Sequence, residues 1–209
     1  MRLSSQLFLA ALITAFAVSA GPAGAAMLGD AAVAYRADSL ITVNGRSYGG
    51  KVFHRPGQQR HEEQVAGIPE VVIIDAAEAR GWLVVPGLRS FVQFALPPIM
   101  TAIDDTALRR SPVGHDSVSG VATSKYPIDR VAGDGTEARG FVWVSRDGVL
   151  MRIDGTVTRR GASRPVTIHM ELSNVEFGPQ DAGLFAVPAG LTELPRAALE
   201  PLLGGGTSH

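Results

Sequence analysis

The sequence predicts a mainly β chain, an antiparallel and strongly curved sheet forming an open or half barrel with short covering α-helices. Three observations carry that reading. About nine or ten short strand-like runs follow one another with turn signals between them, the spacing of a barrel or sandwich rather than of a βαβ chain. A glycine pair and a change of alternation parity fall inside strands, where a sheet curls or turns over. One stretch, 87–110, abandons the two-residue period for helical spacing.

The chain opens with Arg2, an apolar run from Leu7 to Ala20, the helix-breaking Gly21-Pro22 and the small residues Ala23 to Ala26. A basic start, an apolar centre and a small-residue exit describe a secretory signal peptide, expected over residues 1–26 with cleavage after Ala25 or Ala26. The run is shorter than the ~20 residues a spanning helix needs, so a periplasmic chain that does not cross the membrane is expected. Residues 27–203 then form a single domain and 204–209 a disordered tail. A net charge of −1 gives no electrostatic footprint for nucleic acid. With no cysteine there is no disulfide, no thiol nucleophile and no thioether lipid anchor, so an apolar core must supply the stability. A monomer is expected.

Leu40 to Val65 is the organising stretch. Asn44-Gly45 suits a tight hairpin because both residues accept positive φ, and Pro56-Gly57 marks a second turn. Arg46 to Arg55 and Gln58 to Val65 read as strands around that turn, so an up-down-up meander follows. Gly49-Gly50 permits a bend or bulge in its middle strand. The third strand is polar on both parities, with Gln58, Arg60, Glu62 and Gln64 on one and Gln59, His61 and Glu63 on the other. A strand with no apolar face is expected at a sheet edge or at the mouth of an open cavity.

Before this stretch, Val33, Tyr35, Ala37, Ile41 and Val43 share one parity of a half-buried strand over 32–43. After it come two short, continuously apolar strands, Glu70 to Asp75 and Trp82 to Pro86. Leu88, Phe91, Val92 and Ala95 then fall at i, i+3, i+4 and i+7 and stop at Pro97-Pro98, and Ile99, Met100, Ile103 and Ala107 form a second stripe. Two short amphipathic helices are expected, packed on a sheet face or forming a lid. Strands return over 116–126, 135–145 and 149–159, the last two joined at Asp147-Gly148. Val166, Ile168, Met170 and Leu172 alternate on even positions, then Val175 and Phe177 on odd ones, which places a bulge or corner at Ser173-Asn174. A short strand over 184–194, broken by Pro188, and a last helix over 195–203 complete the domain.

Chemistry-bearing residues are sparse. His115, Asp116 and Ser117 are adjacent on a strand and point to alternate faces, so they form no relay among themselves, and no G-x-S-x-G elbow occurs. His54 and His61 flank the Pro56-Gly57 turn, and no pair of histidines has metal-ligand spacing; a solvated cross-strand pair is expected, with no metal and no cofactor. Asp104-Asp105 and Glu62-Glu63 are adjacent carboxylates with diverging side chains, read as solvated charge. The aromatic residues are more informative. Tyr35, Phe53, Trp82, Phe91, Phe94 and Trp143 are spread over strands that are largely apolar on both parities, and a curled sheet with an apolar inner face and a helical cover is what an apolar ligand requires.

The order of these signals resembles the exported β half-barrels of the LolA/LolB lipoprotein-carrier type. The matching motifs are G-G-K-V-F-H-R-P (Gly49 to Pro56), I-I-D-A-A-E-A-R-G-W-L-V-V-P (Ile73 to Pro86), V-S-R-D-G-V-L (Val144 to Leu150) and G-L-F-A-V-P-A-G-L (Gly183 to Leu191). The nearest resemblance is to uncharacterised exported members of that fold, because the N-terminus leaves little room for the carrier's opening helix and the lid segment is reorganised around Pro97-Pro98. The resemblance implies that Arg55, in the R-P pair, latches the lid. It also implies a non-enzymatic carrier of lipid or lipoprotein acyl chains, with Tyr35, Phe53, Trp82, Phe91, Phe94 and Trp143 lining the ligand site. A sensor or interaction module binding an envelope partner protein is the alternative, and a hydrolase assembled from distant residues is the third class.

Overall fold

The computed structural model of the chain describes residues 31–65, 67–96, 111–195 and 197. The expected signal peptide, the second helical stripe, the last helix beyond Pro195 and the tail lie outside the described residues. Twelve strands are present: β1 (Tyr35–Val43), β2 (Arg46–Arg55), β3 (Gln58–Val65), β4 (Ile68–Asp75), β5 (Arg80–Val85), β6 (Ser90–Ala95), β7 (Gly114–Val118), β8 (Val121–Val131), β9 (Glu137–Ser145), β10 (Leu150–Thr158), β11 (Val166–Phe177) and β12 (Thr192–Glu193). They form one curved, open sheet in the order β12-β6-β5-β4-β3-β2-β1-β11-β10-β9-β8-β7. The fold class is the expected one. Every pair is antiparallel except the short β6–β12 edge, which is parallel.

Turn chemistry sets most of the registers. Asn44 and Gly45 both adopt positive φ between β1 and β2, and Gly57 does so between β2 and β3. The parity change in β11 is a bulge: Arg36 pairs with Glu176 but Asp38 with Ser173, and Asn174 takes up the slack at φ 51°.

Alternation divides the sheet into two faces. On the inner face, Ile41 and Val43 of β1 share one apolar cluster with Val72 and Ile74 of β4, Leu83 of β5, Val142 of β9 and Ile153 of β10. The two halves of the sheet therefore curl toward each other and bury a common core. On the outer face, the C-terminal segment from Ala182 to Leu194 runs across β3 to β6 like a strap. Val187 and Leu191 pack with Phe91 and Trp82 on Val71, Ile73 and Val84, Arg60 donates to the Leu184 carbonyl at 3.0 Å, and the Thr192 and Leu194 amides donate to Arg89 and Phe91.

Four expectations are corrected. Residues 88–95 are not a helix: a 3-10 turn at Pro86–Leu88 leads through Arg89, at φ 49°, into β6. Val92 faces the inner core and Phe91 the strap. A strand covered on both sides shows no two-residue period, so its apolar residues imitated helical spacing. The run over 116–126 spans the second half of one hairpin strand and the first half of another, turning at Ser119-Gly120, where both φ are positive. The strand expected over 184–194 is mostly strap, with only Thr192–Glu193 paired. Finally, Gly49-Gly50 makes no bulge against β1, where pairing is regular from Tyr35–His54 to Val43–Arg46.

A different glycine pair is required where β9 and β10 approach closely. Gly140 and Gly155 are register partners between β9 and β10, flanked in the same row by Ile128 and Ile168. Gly140 has φ +151°, and a Cβ there would lie 2.1 Å from the Asp154 carbonyl oxygen. Gly140→Ala combines overpacking with backbone strain and is expected to cost about 3 kcal/mol, whereas Gly133→Ala, at a site with open space around it, leaves the urea midpoint near wild type.

Candidate functional site

The polar third strand is not at an edge. β3 lies between β2 and β4, in the middle of the sheet's first half, so its odd-numbered residues are turned into the core. Gln59 and Glu63 are buried. His61 accepts or donates through Nε2 to the Gln59 side chain at 3.2 Å. His54, on the same face and fully buried, stacks on Tyr35 with ring centroids 4.9 Å apart, its Nδ1 3.1 Å from the Val33 carbonyl. The histidine pair expected in solvent is therefore interior. Burial, with the neighbouring His54 charge, pushes the His61 imidazole down to about 4.

Among the described residues the inner face encloses one small cavity beside β1, β3 and β10. Tyr35, Ser39, His61, Ile153 and Met170 are among the residues around this cavity of about 40 Å³, room for a few waters and far below the ~300–1,000 Å³ of small-molecule pockets.

A larger opening lies where the sheet splits. β2 and β3 pair from Arg55–Gln58 only as far as Gly50–Glu63. Beyond that point β2 continues on β1 alone to Arg46, and β3 continues on β4 alone to Val65. The result is a cleft of about 660 Å³ between Ser47–Lys51 on one lip and Glu62–Gln64 with Pro69–Val71 on the other. Among the described residues, the backbone edges of both lips pair with no strand across it.

At the inner end of the cleft, Ser39, Gly50, Glu63 and Glu70 are successive register partners across β1, β2, β3 and β4. Glu63 is 6 % and Glu70 2 % exposed. Among the described residues, Glu63 Oε2, both carboxylate oxygens of Glu70 and Ser39 Oγ have no hydrogen-bond partner. Burial pushes the Glu63 carboxyl up to about 7, and burial together with the Glu63 charge pushes Glu70 up to about 8. Glu62 behaves as the sequence suggested, on the outer face with Arg60 at 2.7 Å; its neighbour Glu63 does not. A sequence signal existed. Val65 and Ile68 pair with only two residues between them, and counting back along both strands sets Glu63 opposite Glu70.

Of the aromatic set, Tyr35 and Trp143 share one buried cluster with Met151 and Leu172, and Phe53, Trp82, Phe91 and Phe94 are not part of it. Tyr35 borders the inner cavity and Phe94 packs on the inner core. Phe53, half-buried, lies on the outer face, as do Trp82 and Phe91 beneath the strap. Trp143 pairs with Lys125 and Arg152, opposite to inward-facing Val142. There the Lys125 ammonium lies 4.0 Å from the Phe141 ring and 4.7 Å from that of Trp143, and Arg152 binds Glu171 at 2.8 Å. Arg55 is also outer: it donates to the Gln58 side chain and stacks over Phe185 of the strap at 4.9 Å. Residues 97–110, which the resemblance makes its latch partner, lie outside the described residues. Among the described residues, no three histidine, aspartate or glutamate side chains form a metal-ligating group and no helix is long and apolar enough to cross a membrane. His115 reaches only Ser124, at 3.3 Å.

No known protein family and no curated protein matches the chain. Among solved structures, an uncharacterised conserved protein of Thermus thermophilus is 12 % identical, with a TM-score of 0.52 over 80 % of this chain and 93 % of that one. MucB in the Pseudomonas aeruginosa MucA/MucB complex is 18 % identical, with a TM-score of 0.49 over 76 % of this chain and 57 % of that one. MucB in complex with MucA(peri) is 13 % identical, with a TM-score of 0.47 over 87 % and 59 %. The first shows a shared fold. The MucB likenesses are too distant to add to it, and this chain spans under two thirds of their length.

The raised carboxyl pKa values have a definite sign in stability. Between the unfolded value of 4.5 and the folded values of about 7 and 8, the native state holds more protons than the unfolded chain, so stability falls as pH rises through that window. His61 acts oppositely, but only between about 4 and 6.5. Above pH 6.5 the carboxylates alone remain, with a limiting slope of about 1.4 kcal/mol per pH unit for each group still protonated in the fold. Glu70→Gln is expected to flatten the decline between pH 6.5 and 8 and to exceed wild type in stability at pH 8, measured by urea unfolding across that range.

Proposed function

We propose that this chain is an exported, non-enzymatic interaction module of the cell envelope, built on a LolA/LolB-like half-barrel, that takes an extended segment of a partner protein into the split between β2 and β3. The split carries the reading. Two strand edges with free backbone donors and acceptors flank an open cleft, the arrangement by which a sheet accepts an added strand. Tyr48 on one lip and Val71 on the other give such a segment apolar side chains to be read by. The signal-like N-terminus supports export.

The test places a photo-crosslinking residue at Ser47 or Gln64, on the lips, and at Arg36, on the outer face away from them, in cells of the source organism. A discrete adduct with one protein is expected from positions 47 and 64 and not from 36. Gly49 has open space around it, so Gly49→Trp fills the cleft without disturbing the core. It is expected to remove most of the Gln64 adduct while leaving the melting temperature within about 2 °C of wild type. Absence of adducts from both lips, or adducts insensitive to the tryptophan, sinks the reading. Stoichiometric acyl lipid extracted from the purified protein returns the carrier in its place.

A further inference from the structure

Buried polar groups in a folded protein are paired, and three on one row here are not. Ser39 Oγ, Glu63 Oε2 and both Glu70 oxygens are unpartnered among the described residues although each side chain is more than nine-tenths buried. The row is continuous, because Ser39 faces Gly50, Gly50 faces Glu63 and Glu63 faces Glu70 across adjacent strands. Cross-strand partners stand about 5 Å apart at Cβ, so the two carboxylates share one space. Gly50 adds to that space. A Cβ at that position would fall 3.2 Å from Ser39 Oγ, 2.8 Å from Glu63 Cγ and 2.3 Å from the Glu62 carbonyl oxygen, so only glycine leaves the serine hydroxyl and the glutamate stem looking at each other.

We propose that Glu63 and Glu70, with Ser39, bind a hard divalent cation, magnesium or calcium, at the inner end of the cleft.

The chemistry selects the class. Every donor on the row is oxygen, the preference of magnesium and calcium, with neither the imidazole nor the thiolate that zinc or copper would use. The nearest interior imidazole, His61, is turned to Gln59 and lies in the next row, opposite Val52. Lys51, the basic residue on the cleft lip, pairs with Glu62 on the opposite face of the sheet and does not stand in the row. Two side-by-side carboxylates carry two charges, which one divalent ion balances and a single ammonium does not. Two carboxylates and a hydroxyl leave coordination positions open, and both glutamates line the cleft, which gives water a route to complete the shell, as it commonly does around magnesium. This site does not depend on the partner reading, and the protein alone suffices to test it.

Chelator-treated, purified protein is titrated at pH 8.5 with magnesium chloride, with calcium chloride and with sodium chloride at matched ionic strength, and thermal unfolding is followed. A saturable rise of several degrees in melting temperature with magnesium or calcium, absent with sodium, is expected. Glu63→Gln and Glu70→Gln keep the shape of the protonated acids. Each is expected to weaken half-saturation on the order of tenfold, and the double variant to lose the shift while its cation-free melting temperature stays at or above that of wild type. That last value separates loss of the site from loss of the fold. No shift beyond the sodium control, or an equal shift in the double glutamine variant, overturns the proposal.

Discussion

One long-range pairing holds this molecule together. All other antiparallel partners are neighbours in sequence, so the chain consists of two local meanders, β1 to β6 and β7 to β11, and β1 lying against β11 is what makes them one sheet. Without it each meander would present its apolar inner face to water. With it, Ile41 and Val43 of the first meander and Ile153 and Ile168 of the second enter one cluster. The bulge at Asn174 lets β11 pair with β1 over most of its length while turning its parity, so that Leu172 reaches the core and Glu176 reaches Arg36 on the surface. Local turns are inexpensive to form and the β1–β11 closure is entropically costly, so the buried area it creates has to carry the fold.

That closure also decides the fate of β3. As part of an isolated meander, a strand with Gln59, His61 and Glu63 on one face would keep them wet. Once β10 and β11 curl over it, Gln59 and His61 are trapped against Leu150, Ile153 and Met170, and Glu63 is left at the cleft. The responses differ along the strand. His61 pairs with Gln59 through Nε2 while its buried Nδ1 has no partner among the described residues, and the imidazole stays neutral. Glu63 meets only another carboxylate, Glu70, and both are driven toward the protonated form. The burial that supplies the core's stability is thus the source of its electrostatic strain.

Where sequence patterns were local, they were legible. Asn44-Gly45, Pro56-Gly57 and Asp147-Gly148 each mark a turn that the structure contains, because positive φ is a property of the residues themselves. The bulge in β11 was readable because apolar positions changed parity within one strand. Patterns that depend on what lies above a strand were not readable. β6 looked helical because the strap covers one side and the core the other, which erases its two-residue period. β3 looked like an edge because nothing local says that the far half of the chain will fold onto it. The six aromatic residues looked like one lining, yet parity assigns a face only after register is known, and register divides them between two faces. The site itself was half visible: the unusual polarity of β3 drew attention to the right strand, while the pairing of Glu63 with Glu70 required counting outward from the Val65–Ile68 pair.

The split and the acidic pair are two sides of one balance. Extending the β2–β3 ladder past Gly50–Glu63 would add a few backbone hydrogen bonds, each worth about 1 kcal/mol net because water already serves the open groups. It would also close the cleft over Glu63 and Glu70. Sealing two facing carboxylates away from solvent costs several kcal/mol for each ion, or else holds both protonated with oxygens that no donor reaches. In the forked sheet both carboxylates are already buried and lack donors among the described residues, and the open cleft keeps a route by which water or a cation reaches them. Gly50 sits at the fork because the row has no room for a side chain there: with any Cβ, the Glu62 carbonyl and the Glu63 stem would have to move apart, and the last paired rung would be lost as well.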